Sequence, residues 1–253
     1  MPSAASQCNR EERLRFDWKG GLQVTAARPL KLIVAALIAA LLPSAARAEL
    51  VLSELIVELQ PGRQVRDDLE IWNNSPERAY VAVEPREIVN PSLPSQSERR
   101  EADPEKLGLL VSPSRMILEP GARKLVRVAT LLAGTERERV YRVTVRPVVG
   151  GVEAKDTGLK ILVGYDVLVL VRPAQALPNV TAVRNGRKLK FSNSGNVSVE
   201  MMSGKQCDSA RERCADLPGK RLYPGASWTV DLGSDGPAEY VLRSPGRADR
   251  RVF

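Results

Sequence analysis

Histidine is absent from all 253 residues. That removes Ser-His-Asp and Cys-His catalysis and the commonest metal ligand together. Aromatic residues make up only 4% while hydrophobic residues reach 43%, so any core must be built from Val, Leu and Ile. No G-x-x-x-x-G-K-[ST] loop occurs, so nothing is present to cradle a nucleoside triphosphate. No G-x-S-x-G nucleophile elbow and no credible metal cluster are present either. Together these absences point away from an enzyme, and no cofactor or metal is expected.

The formal charge of +8 suggests a nucleic-acid partner until its distribution is read. Residues 1–48 hold seven cations and three acids, which accounts for +4 of the +8. The other half is spread over the remaining chain and forms no basic patch, so no nucleic-acid partner is expected. Arg28 and Lys31 form a short positive region, Leu32 to Leu42 an apolar run of eleven, and Ala46-Arg47-Ala48 an A-x-A site. This is the pattern of a secretory signal peptide cleaved after Ala48. The alternative, a membrane anchor, needs roughly 20 apolar residues, so no stable anchor is expected. Residues 1–27 are polar, precede the signal and are assigned no fold.

Export also interprets the cysteines. Cys8 lies in the leader, and the mature chain keeps Cys207 and Cys214. An even pair in an exported chain reads as a disulfide. Two thiols without histidine do not make a structural zinc site.

From Leu50 onward, short apolar and β-branched runs alternate with Pro, Gly, Asn and Ser clusters. The runs are Leu50 to Leu59, Asp68 to Trp72, Ala79 to Pro85, Met116 to Leu118, Lys124 to Leu131, Arg139 to Val148 and Gly158 to Val171. The charged stretch 95–106 reads as a solvated loop. This spacing predicts an all-β chain with an immunoglobulin-like sandwich over 49–173. Arg172-Pro173 ends the last strand, because proline cannot donate to a ladder. After a linker at 174–178, strand runs resume at Val180, Lys188, Val197, Trp228 and Glu239. They predict a second, smaller sandwich over 174–253, of a size at which burial is marginal and a disulfide useful.

Two segments resemble a known family. They are Leu110-Val-Ser-Pro-Ser-Arg-Met-Ile-Leu-Glu-Pro-Gly-Ala-Arg-Lys-Leu-Val-Arg127 and Glu136-Arg-Glu-Arg-Val-Tyr-Arg-Val-Thr-Val145. With the long strand closing on Arg172-Pro173, they are similar to the periplasmic pilus (fimbrial) assembly chaperones of the chaperone–usher type. The resemblance covers about 50–173 and then continues mainly in length and domain count.

What the resemblance implies is a boomerang of two immunoglobulin-like β-sandwich domains in the periplasm, without ATP. Such a chaperone caps secreted pilus-type subunits that lack a strand, by β-augmentation, and delivers them to an outer-membrane usher. A sandwich missing a strand has raw edges that aggregate. On the family's donor strand, Leu159, Ile161 and Val163 take the groove-filling positions. The alternative is that they face their own core. Arg172, Glu138 and Asp235 correspond to a salt-bridge network joining the two domains. The family's two carboxylate-anchoring cations fall at Val57 and Leu168, neither of which can bind a carboxylate. That departure keeps a second reading open, a chaperone-like structural or adhesive module without subunit delivery.

Overall fold

The computed structural model describes residues 50–148, 162–208 and 213–253. The leader with Cys8 and the Ala48 cleavage site lies outside the described residues, as do Leu159 and Ile161. Among the described residues no helix is long and apolar enough to cross a membrane.

The first half of the chain forms β1 (Leu50–Leu52), β2 (Ile56–Leu59), β3 (Arg66–Asn73), β4 (Ala79–Val89) and β5 (Ser97–Arg99). There follow a short helix α1 (Pro104–Leu107), β6 (Leu109–Ser112), β7 (Arg115–Leu118), β8 (Arg123–Thr130), β9 (Arg139–Pro147) and β10 (Tyr165–Val171). One sheet runs β1-β3-β8-β6. The facing sheet runs β2-β10-β9-β4-β5, with β7 also on β4. The apolar run Leu50–Leu59 is two strands rather than one. β1 lies antiparallel to β3, and after Ser53–Leu55 the chain crosses over so that β2 runs parallel to β10. One segment thereby covers an edge of each sheet.

The stretch 95–106 is less plain than a solvated loop. It contains β5 and the start of α1, where Asp103 caps the turn, Pro104 opens it and Gly108 ends it at φ 82°. A Cβ at Gly108 would stand 2.8 Å from the Leu132 side chain, so this residue is set by space as well as by φ. The Leu107 carbonyl is gripped by the Tyr141 hydroxyl at 3.0 Å and by Arg139 at 3.2 Å. Glu87, buried, pairs with both Arg139 and Arg99. Burial pushes the Glu87 carboxyl up, but its two arginines outweigh that and hold it below its usual range.

The second half forms β11 (Val180–Asn185), β12 (Lys188–Asn193), β13 (Val199–Cys207), β14 (Cys214–Leu217), β15 (Lys220–Leu222), β16 (Ser227–Asp231), β17 (Ala238–Ser244) and β18 (Arg247–Val252). Its sheets run β11-β12-β16 and β14-β13-β17-β18, with β15 on β13. Between them Phe191 packs against Trp228, Tyr240 and Phe253 with centroids 5.0–5.7 Å apart. Side chains that are scarce in the chain are thus gathered in one place.

Cys207 and Cys214 sit directly opposite each other on β13 and β14 and are bonded, with Cα atoms 4.0 Å apart. Closing so short a loop restricts the unfolded chain, which is worth about 2.5 kcal/mol on the chain-entropy account. Reductant, or the pair Cys207→Ser and Cys214→Ser, is expected to lower the denaturation midpoint of the whole protein accordingly. An unchanged midpoint would show the bridge to be thermodynamically idle.

The two halves repeat one device that no local sequence pattern singles out. Buried Asn73 donates to Glu77 and Leu118 carbonyls, and its Oδ1 accepts from the Ser75 N–H. Buried Asn193 donates to Val197 and Leu222 carbonyls, and its Oδ1 accepts from the Gly195 N–H. Each backbone then pairs with a Pro-Gly-Ala turn, Gly121 and Ala122 in one half, Gly225 and Ala226 in the other. A buried amide holding several backbone groups leaves them unsatisfied when removed. Asn193→Ala is expected to cost about 1–3 kcal/mol in urea unfolding; a neutral result would mean water replaces the amide.

The facing sheet β2-β10-β9-β4 serves two cores. Tyr141, Val143, Val167, Val169 and Val171 enter the first. Val140, Leu168 and Leu170 enter the second, with Ile88 and Leu93 packed against it. The unalternating run Val167 to Val171 is explained by burial on both faces.

Candidate functional site in the cleft between the sandwiches

The joint between the two halves is built around Arg172, where β10 ends. Its Nη1 donates to Glu138 and, at 3.2 Å, to the Ser198 hydroxyl. Its Nη2 donates to Glu58 at 2.8 Å. The Arg172 and Glu138 side chains are 6% and 0% exposed, so this pair is shielded from water and salt. Glu138 also accepts from the Ser198 N–H at 3.0 Å.

Beside it, Asn196 donates to the carbonyls of Glu136 and Gln175 and accepts from the Leu177 N–H. The turn 194–198 thus closes on both the start of β9 and the linker. Of the three charges expected here, Arg172 and Glu138 meet and Asp235 does not join them. Asp235 lies exposed in the turn between β16 and β17, a turn that Gln206 and Arg184 hold through its backbone. The second carboxylate on Arg172 is Glu58. It is hidden from sequence reading because it reaches the arginine through the parallel β2–β10 pairing, across 114 residues of chain.

The positions expected to carry anchoring cations are apolar for a structural reason. Val57 is buried in the first core, and Leu168 packs in the second. A cation stands one strand over: Arg142 on β9 lies directly opposite Leu168 on β10. Its side chain is 35% exposed. It donates to the Asp166 carbonyl at 3.2 Å and approaches the Asp166 carboxylate only loosely, at 3.9 Å. Burial pushes the Tyr223 phenol above its usual value, against the pull of Arg221 and Arg142.

The edge of β10 is open near this cation. β9 pairs with β10 along Tyr165–Val171, whereas β2 covers only Leu168–Val171. Among the described residues the outer edge of Tyr165 to Val167 has no partner strand. Val163, just before it, is 59% exposed, and Leu55 and Ile56 are exposed at the start of β2. Val163 does not pack into its own core.

No protein-family profile matches the chain. The solved class 5 fimbriae chaperone CfaA superposes with a TM-score of 0.60 at 22% identity, over 80% of this chain and 98% of that one. This chain has the fimbrial-chaperone fold. The Salmonella enterica SafB chaperone, solved in complex with SafA pilin, superposes with a TM-score of 0.60 at 17% identity, over 83% and 99% of the two chains. Among curated proteins, a CS1 fimbrial subunit of Escherichia coli is 24% identical over 215 residues, 81% of this chain and 89% of the relative. A CFA/I fimbrial subunit of Escherichia coli is 25% identical over 204 residues, 74% of this chain and 81% of the relative. In the fimbrial-chaperone fold of this chain, the open edge of β10 and the cleft cation Arg142 lie on one sheet.

Proposed function

We propose that this protein is a periplasmic, ATP-independent chaperone that caps pilus-type subunits with its own strand and hands them to an outer-membrane usher. The observation that supports this reading is the edge of β10 that has no partner strand among the described residues, leading into exposed Val163, within the fimbrial-chaperone fold. A strand edge left open beside apolar side chains is a liability unless a partner strand uses it. Leu159, Ile161 and Val163 are the side chains proposed to fill the subunit groove. Arg142, directly opposite Leu168, is proposed to receive the subunit's terminal carboxylate in place of the expected cations at Val57 and Leu168.

Usher engagement is proposed for the other end of the same sheet. There Tyr80, Ile117 and Val148 are exposed around a groove of about 420 Å³ that Arg115 and Arg146 also line. An exposed apolar patch rimmed by charge fits a protein partner. Ile117→Asp is expected to keep subunit capture and lose delivery, seen as subunit–chaperone complex accumulating in the periplasm. Normal assembly by that variant would remove this patch from the reading.

The test of the whole proposal is co-purification. The mature protein is tagged after Phe253, expressed with its genomic neighbours, and its one-to-one partner identified. A small β-rich secreted subunit supports subunit capping. A partnerless protein beside intact subunits would instead favour the structural or adhesive module, a reading that the apolar Val57 and Leu168 positions also allow.

A further inference from the structure

Arg86 and Arg142 stand directly opposite each other on β4 and β9. Like charges in that position repel unless something neutralises one of them. Asp166 does so unequally. Both of its carboxylate oxygens accept from Arg86, each at 3.0 Å, and Thr144 adds a bond at 3.1 Å. The same carboxylate comes no nearer to the Arg142 Nε than 3.9 Å. Arg86 is further tied to Glu98 at 3.0 Å, and its side chain is only 15% exposed. Arg86 is fully partnered by carboxylates, whereas Arg142 has a hydrogen bond to the Asp166 carbonyl and only a loose contact with its carboxylate.

We propose that Arg86 is a positioning residue for Arg142. Its two-pronged hold on Asp166 keeps that carboxylate from closing on Arg142, so that the Arg142 guanidinium stays open to a carboxylate from outside the chain. Without Arg86, Arg142 is the cation nearest to Asp166 among the described residues, and Asp166 becomes an internal competitor for it. This inference rests on the reading of Arg142 as the carboxylate receptor.

The test uses the whole mature protein and two simple probes, N-acetyl-dialanine with a free carboxylate and the same peptide as its C-terminal amide. Binding is followed by NMR at the Arg142 Nε–Hε signal. The free acid is expected to shift that signal and the amide to leave it in place. Arg142→Gln should abolish the preference for the acid, read from backbone amides of β9. Arg86→Gln should weaken binding of the acid by about fivefold, the scale of an ion pair near the surface. The double variant Arg86→Gln with Asp166→Asn should recover the original affinity, because the competitor is gone. A purely structural role for Arg86 would not be rescued by a second substitution in the same cluster.

Unaltered binding by Arg86→Gln, or a loss that Asp166→Asn fails to restore, overturns the positioning role while Arg142 stands. An acid preference that survives Arg142→Gln overturns the receptor itself, and the positioning role with it.

Discussion

Glu138→Ala is expected to destabilise the protein by about 3–5 kcal/mol, the cost of leaving one member of a buried ion pair alone. Arg172 would keep Glu58, a residue open to solvent, as its one carboxylate, and its Nη1 would keep only the Ser198 hydroxyl beside a cavity. The Ser198 N–H and hydroxyl would lose their acceptor at the same time. Glu138→Gln preserves the shape and one acceptor for Ser198, and should lose less. The described residues hold one tryptophan in each sandwich, Trp72 and Trp228, so single-tryptophan variants report on each half separately. With Glu138 present the two reporters should unfold together. With Glu138→Ala they should separate, because the shared apolar contacts of Leu168, Leu170 and Val140 then act without the polar clasp. A loss under about 1 kcal/mol would mean that the pair behaves as a surface one and that packing alone couples the halves.

On the proposed reading, Ile161→Asp is expected to abolish capture of a co-purifying subunit while leaving the melting curve of the free protein unchanged. A groove-filling side chain contributes about 1.5–3 kcal/mol by burial. A carboxylate forced into the same apolar groove adds a desolvation penalty of its own. Val163→Asp should act in the same direction. On β10, Val167, Val169 and Val171 face the first core, and Ile161 and Val163 lie an even number of residues before them in the sequence. If these residues belonged to that core, Ile161→Asp would lower the melting temperature sharply and capture would fail with the fold. Loss of capture with an intact melt separates the two; retained capture would take these residues out of the interface.

The sequence by itself determined the class of the fold, because alternation and turn chemistry are local. Pro-Gly and Asn-rich clusters end strands wherever they occur, and the strands from Ala79, Lys124, Arg139 and Val180 are found near where their runs predict them. The same holds for the disulfide, since the expected removal of Cys8 with the leader leaves a single pairing, Cys207 with Cys214. The meeting of Arg172 and Glu138 was approachable through family resemblance.

The tertiary structure decided what depends on strand pairing. The crossover at Ser53–Leu55 and the parallel β2–β10 pairing bring Glu58 to Arg172, and no local pattern encodes which remote strand becomes a neighbour. Asp235 falls outside the joint for the same reason: a charge in a turn carries no address, and the backbone of this turn is held by Gln206 and Arg184 instead. Leu168 stands as a missing cation only while one position on one strand is considered. The sheet register sets Arg142 directly opposite it on the next strand. Periodicity reports which residues share a face. Only the closed sheet, with its hydrogen-bond register across strands distant in sequence, decides which of those residues meet.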